Sequence, residues 1–272
     1  TAGYDNLSMG HDTMLRNTTG HSNIALGRRA LYNNTTGYDN TSVGKDTLYL
    51  STTSVNNVAV GDSALFNTIS SNNTAVGTSA LKANTTGTAS TAFGYRAGIA
   101  TTTGTQNTFI GSDAGGSNTT GNKNTFIGPD AGYYVTTGSN NTIIGKFNGN
   151  VGGLDIRTSN NNIVLSDGDG NPRAYYHGGL SSPAWHFKTP TTNQNSMFID
   201  NTASSNPYGP AIRFTAADPN DTTRYFLKGE GGGNNRLFIY SNGNITNTNN
   251  SYGAISDVKL KENIIDASSQ WN

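Results

Sequence analysis

Residues 73–87 read NTAVGTSALKANTTG, and residues 124–138 read NTFIGPDAGYYVTTG. Both stretches place a glycine four residues after Asn, an Ala three residues after that glycine, and a closing Thr-Thr-Gly. With the first glycine as marker, the frame recurs at Gly10, Gly27, Gly44, Gly61, Gly77, Gly94, Gly111, Gly128 and Gly145. These nine copies are spaced by 17 residues, with one spacing of 16 between Gly61 and Gly77. Self-similarity at a fixed short period is the mark of a stacked repeat.

Each position of the frame has a physical reading. The residue before the marker is apolar in every copy, from Met9 to Ile144. Four before the marker stands Asn in every copy but one, where Ser90 replaces it. The Gly, Thr and Asn content disfavours helix. Each copy is expected to hold two very short strands separated by glycine turns. So short a strand cannot bury its apolar side alone, but stacked coils can, each pairing its backbone with the next at ~4.8 Å. Nine coils of that rise would span about 43 Å. Aligned Asn and Thr would form ladders that satisfy the turn amides. The expected fold is therefore all-β, a parallel β-roll or solenoid of about nine 17-residue coils.

Two positions change size together along the repeat. Four after the marker, early copies carry Met14, Leu31, Leu48, Leu65 and Leu81, whereas later copies carry Gly98, Gly115, Gly132 and Gly149. Two before the marker, early copies carry Ser or Ala, whereas the last three carry Phe109, Phe126 and Ile143. Dense packing tolerates swaps that conserve volume. Both positions should line one packed region, within a chain or between chains.

This repeat resembles the heads of trimeric autotransporter adhesins, with their N-S-x-A-I-G motif, and the related repeats of phage tail fibres. The likeness covers residues 1–149, and the 17-residue copies are longer than is usual in adhesin heads, so the turns must differ. The resemblance implies a left-handed parallel β-roll with three chains side by side. Trimerisation is thus implied by the resemblance and not by the repeat itself.

Composition narrows the function. Charged residues make up 12% of the 272-residue chain, about half the usual share of roughly 25%. Seventeen basic residues balance seventeen acidic ones, and no stretch concentrates Lys and Arg; Arg28-Arg29 is too short to count. A nucleic-acid partner is not expected. There is no cysteine, so disulfides and thiolate metal sites are excluded. No run approaches the ~18 apolar residues of a membrane span, so membrane insertion is not expected. The chain opens inside a repeat copy, which reads as a fragment or the ordered part of something longer.

Beyond the repeat, the Gly/Asn-rich stretch 146–153 reads as a linker into a β-rich unit at 150–255. Strands are expected at 162–166, 173–177, 184–187, 197–199, 211–215, 224–227 and 237–240, joined by Gly, Asn, Asp and Pro turns. They suggest a small antiparallel unit, interleaved between three chains. Asp167-Gly168-Asp169-Gly170-Asn171 has a calcium-loop look, but Pro172 and Gly178 stand where that loop needs glycine and a carboxylate. A hairpin turn is the better reading. The four histidines lack metal-ligand spacing, so no metal site and no cofactor are expected. Glu occurs only at 230 and 262, and no motif supports a carboxylate pair for glycan cleavage. Tyr175, Tyr176, Trp185 and His186 are the candidates for stacking on a receptor glycan, against a plain packing role. Tyr133 and Tyr134 raise the same question.

Residues 256–264 read SDVKLKENI, unlike the polar chain before them. They resemble the junction where phage tail fibres and endosialidase-type tailspikes meet a C-terminal intramolecular chaperone, which opens Ser-Asp-x-Arg/Lys-Leu-Lys-x-Asn-Ile. Ser256, Asp257, Lys259, Leu260, Lys261, Asn263 and Ile264 match every fixed place. The family's chaperone helps three chains register and fold, then cuts itself off. The resemblance implies Ser256 as nucleophile on the Ile255–Ser256 bond and Lys261 as general base, in a single turnover. A lysine base must be neutral near pH 7, which requires burial. The segment 256–272 is only the start of that domain. Otherwise, Ser256 caps a short helix and Lys261 is a surface charge.

These features point to a structural virion protein rather than an enzyme. It would be the distal part of a homotrimeric tail fibre, made in the host cytoplasm and acting outside the host cell. Its partners would be two copies of itself, upstream tail components, and a host glycan or protein receptor. The alternative is the head of a bacterial trimeric surface adhesin, and a glycan-cleaving tailspike is a third reading.

Overall fold

The structure is a computed structural model that describes residues 3–178, 185–187, 225–231, 234–240 and 245–247. The described residues are all-β and contain no helix. Each repeat copy contributes one three-residue strand: β1 (Leu7–Met9), β2 (Ile24–Leu26), β3 (Thr41–Val43), β4 (Val58–Val60), β5 (Thr74–Val76), β6 (Thr91–Phe93), β7 (Thr108–Ile110), β8 (Thr125–Ile127) and β9 (Thr142–Ile144). Each pairs in parallel with the next in unbroken register. The repeat is a parallel β-solenoid.

The second strand expected in each copy does not form. After the marker glycine the chain runs as turns, because positions two and four beyond it sit at positive φ; Arg29 is at 56° and Leu31 at 50°. These turns still bond coil to coil, as in Leu31 N–H to the Thr47 carbonyl at 3.1 Å and Leu65 N–H to the Ala80 carbonyl at 3.0 Å. The marker itself is glycine for two reasons. Its φ lies in the left-handed half of the map, from 106° at Gly145 to 145° at Gly94. A Cβ on Gly10 would also stand 2.6 Å from the Gly27 carbonyl oxygen of the next coil.

A buried amide ladder runs the length of the stack. The Asn23 backbone N–H donates to Asn6 Oδ1 at 2.9 Å, and Asn40 repeats this on Asn23 at 3.0 Å. Asn124 does so on Asn107, and Asn141 on Asn124, both at 2.9 Å. Each Asn Nδ2 can then reach a turn carbonyl, as Asn124 does to Gly138 at 2.8 Å. A buried polar group left unpaired costs about 1–3 kcal/mol, so this ladder is what permits a polar interior column. Ser90 keeps the chain of bonds intact, taking Asn107 N–H on its Oγ at 3.2 Å. The 16-residue copy also keeps it: Ser70 replaces the turn glycine and its hydroxyl donates to the Gly87 carbonyl. On the outer turn, Thr85, Thr102 and Thr119 hydroxyls donate to the carbonyls of Thr102, Thr119 and Thr136.

The core lies between the strands and the turn half of each coil. Leu31, Leu48, Leu65 and Leu81 are fully buried, as are Phe109 and Phe126. A Cβ on Gly115 would stand 2.6 Å from Phe109 Cδ1, and one on Gly132 would stand 2.5 Å from Phe126 Cδ2. The phenylalanine rings therefore occupy the space that leucine fills in early coils, within one chain. Gly149 departs from this: its nearest neighbour is Val135 Cγ2, at 3.2 Å from where a Cβ would be.

The parallel stack continues past the last marker glycine. The stretch 146–153, read from sequence as a linker, is part of the ninth coil, which is longer than the others. That coil contains the two-stranded antiparallel pair β10 (Asn150–Val151) and β11 (Leu154–Asp155). Phe147, Leu154 and Ile156 place its apolar side in the core. Asn162 then takes the ladder position, donating from its N–H to Asn141 Oδ1 at 2.9 Å across 21 residues. β12 (Ile163–Ser166) pairs in parallel with β9. Next, β13 (Pro172–Tyr176) and β14 (Trp185–Phe187) add antiparallel, making a 12-stranded sheet. Residues 199–272 belong to a second unit, in which β15 (Tyr225–Gly231), β16 (Asn234–Tyr240) and β17 (Ile245–Asn247) form a three-stranded antiparallel sheet. The strands expected at 197–199 and 211–215 lie outside the described residues, as do Ser256 and Lys261.

Candidate assembly face and aromatic hairpin

A three-residue strand turns its middle residue to one side of the sheet and its two flanking residues to the other. In this stack the middle residues point inward: Ala25, Ser42, Ala59, Phe109, Phe126 and Ile143 are fully buried. The flanking residues therefore form two rows on the outer side. One row comprises the residues just before the marker, in register from Met9 through Val43, Phe93, Ile110 and Ile144 to Leu165. The other carries Leu7, Ile24 and Val58, then a run of Thr from 74 to 142, then Ile163.

The first row is apolar and exposed at both ends, while Leu26, Val43, Val60 and Val76 between them are half-buried. Met9 is 67% exposed, Phe93 58%, Ile144 45% and Leu165 42%. The threonines of the second row present methyl groups as well as hydroxyls. The result is a continuous apolar face many coils long on the isolated chain. Contiguous exposed apolar patches above a few hundred Å² mark association surfaces. The sequence showed that this position is always apolar but not that it faces outward.

The hairpin β13–β14 extends the face with aromatic groups, and its four candidate residues fall on opposite sides. Tyr175 pairs in register with His186, and their rings stack at 4.6 Å and 10°. Tyr175 lies opposite inward-facing Val164 and is buried, so this pair closes the end of the core. Tyr176 pairs with Trp185, with ring centroids 5.8 Å apart. Trp185 is half exposed and stacks along the strand with Phe187 at 6.3 Å. Tyr176, Trp185 and Phe187 thus belong to the outer face.

The turn into this hairpin is the one with the calcium-loop look. Asp167 Oδ1 accepts the N–H groups of Asp169 at 3.0 Å and Asn171 at 2.9 Å, while Arg173 Nε donates to Oδ2 at 2.9 Å. Desolvation pushes the Asp167 pKa up, but bonds from Asn171, Arg173 and Asp169 outweigh it and hold it down at about 2. The carboxylate is engaged by its own turn and anchors the hairpin, as the hairpin reading expects. Among the described residues, no three His, Asp or Glu side chains gather to hold a metal ion. Among them, too, no helix is long and apolar enough to cross a membrane.

No family model, curated protein or solved structure matches this chain.

Proposed function

We propose that this chain is a structural virion protein, the distal part of a homotrimeric tail fibre that attaches a phage to its host cell. The observation that carries the reading is the continuous apolar face on the outer side of the parallel sheet. Burying one aliphatic side chain of that row is worth about 1.5–3 kcal/mol. Identical chains set side by side bring identical faces to a common axis, and a closed ring leaves none uncovered. A left-handed roll, three chains around that axis and interleaving of the 150–255 units complete the proposal.

The charged segment 256–264 supports the fibre reading over the adhesin head. Parallel assemblies fold slowly because register must be found across chains. A C-terminal folding template answers that need, and Ser256 with Lys261 supplies a means of removing it. Sedimentation equilibrium tests the assembly. The expected mass is three times the 28.6 kDa of one chain. Ile127→Lys with Ile144→Lys should yield monomer, because two charges would then sit on the covered face. A wild-type monomer at micromolar concentration would sink the proposal.

A further inference from the structure

The ninth coil is longer than the others, with 21 residues from Asn141 to Asn162, and a concavity lies against it. The cavity measures about 490 Å³ and lies against Asp130, Tyr133, Tyr134, Lys146, Asn148 and Asp169. That size lies within the range of small-ligand sites, roughly 300–1,000 Å³.

Its walls are built from the coils marked by Gly128 and Gly145 and from the turn between β12 and β13. Tyr133 is set by the coil before it: a Cβ on Gly116 would stand 2.7 Å from the Tyr133 ring, so the ring rests on bare backbone there. Tyr134 meets Tyr133 edge to face, with centroids 5.0 Å apart and planes at 85°. Tyr134 N–H donates to the Asn148 carbonyl at 2.8 Å, which ties the aromatic wall to the Asn148 wall. The Tyr134 side chain remains 49% exposed. Asp169 comes from the turn anchored by Asp167. Among the described residues, no ion pair includes Asp130, Lys146 or Asp169. Their hydrogen-bonding capacity is open to a ligand.

The chemistry selects a class. Two perpendicular tyrosine rings offer apolar faces and hydroxyl tips. Two carboxylates accept hydrogen bonds, an ammonium donates them, and the Asn148 amide does both. A ligand that satisfies this set has a C–H face to lay on a ring and many hydroxyls that both donate and accept. A phosphate or other polyanion would meet two carboxylates against one ammonium. A purely apolar ligand would leave the charged groups desolvated and unpaired.

We propose that this concavity is a saccharide-binding site for an uncharged sugar unit, with Tyr134 as the stacking platform and Asp130, Lys146 and Asp169 as hydroxyl partners. It lies after the marker glycines, whereas the apolar assembly face is formed by residues before them. The two surfaces therefore use different residues. The inference rests on the attachment reading only for its purpose, and the two fail separately: sedimentation reports the assembly, and sugar titration reports the cavity.

The test is saturation-transfer NMR followed by calorimetric titration of the full chain. The probes are glucose, galactose, N-acetylglucosamine and their short oligomers, with inorganic phosphate alongside. At least one sugar should bind in the millimolar range or tighter, and phosphate should not compete. Tyr134→Ala and Asp169→Asn should each weaken that binding at least tenfold while the melting curve and sedimented mass stay as in the parent. Tyr38→Phe, an exposed ring in an early coil away from the cavity, should leave sugar binding unchanged. Absence of binding by every probe overturns the inference, as does binding that survives both cavity variants.

Discussion

Early and late coils fill the same interior column in opposite ways. In the coils marked by Gly27 to Gly77, leucine reaches in from the turn side and faces Ala or Ser on the strand. In those marked by Gly111 and Gly128, phenylalanine reaches in from the strand and glycine lines the turn. The coil marked by Gly94 stands between, with Ala92 and Gly98 both small. Its space is filled from both sides, since a Cβ on Gly98 would meet Phe109 Cδ2 at 2.6 Å and Leu81 Cδ2 at 2.9 Å.

Volume is conserved along the stack, but backbone strain is not. The turn position lies at φ 48–50° in its leucine form and 61–64° in its glycine form at 98, 115 and 132. A left-handed conformation costs an L residue about 1–2 kcal/mol, and glycine escapes it. β-Branched residues tolerate it least, and none occurs in this column. Early coils offset the strain with a buried leucine, and late coils avoid it with a buried phenylalanine.

The largest effect should come from forcing one solution onto the other. Gly115→Leu adds a side chain where Phe109 already sits, and should cost at least ~3 kcal/mol or prevent folding. Adding Phe109→Ala in the same coil recreates the early pattern and should recover most of the loss in denaturant unfolding. A double variant no better than the sum of its singles would break the comparison. A second measurement separates strain from volume. Leu48→Ala should cost about 3 kcal/mol, and Leu48→Gly about 1 kcal/mol less, reversing the usual order of Ala over Gly. Equal losses would show that the left-handed turn stores no strain. The smallest effect concerns the ladder, which both halves share. Among the described residues no side chain donates to the Gly104 carbonyl, because Ser90 stands where Asn would. Ser90→Asn should stabilise the stack by about 0.5–1 kcal/mol, read as slower amide hydrogen exchange in the neighbouring coils.

The exchange between leucine and phenylalanine was legible because both members of the pair change within one repeated frame. The Asn ladder was legible for the same reason. The direction of the outer row was not. Its Val, Ile and Met are more apolar than the inward Ala and Ser of early coils, so hydrophobicity alone would place the wrong side inside. The full length of the ninth coil was hidden because Ser166 stands where the next marker glycine would, and 21 residues separate Asn141 from Asn162. The cavity was missed because Tyr133 and Tyr134 meet Asp169 only once that longer coil has closed. For the aromatic hairpin, alternation separates Tyr175 from Tyr176, but only strand register assigns His186 to one and Trp185 to the other.

Period, coil number and the contents of each column are written in the sequence, since a stack of equal coils turns linear recurrence into vertical alignment. Which row faces out, where the stack ends and which distant residues share a wall were decided by the tertiary structure. These depend on how the turns direct the chain in space, and a left-handed turn can be held by Leu, Arg, Asp or Gly with no common letter to announce it.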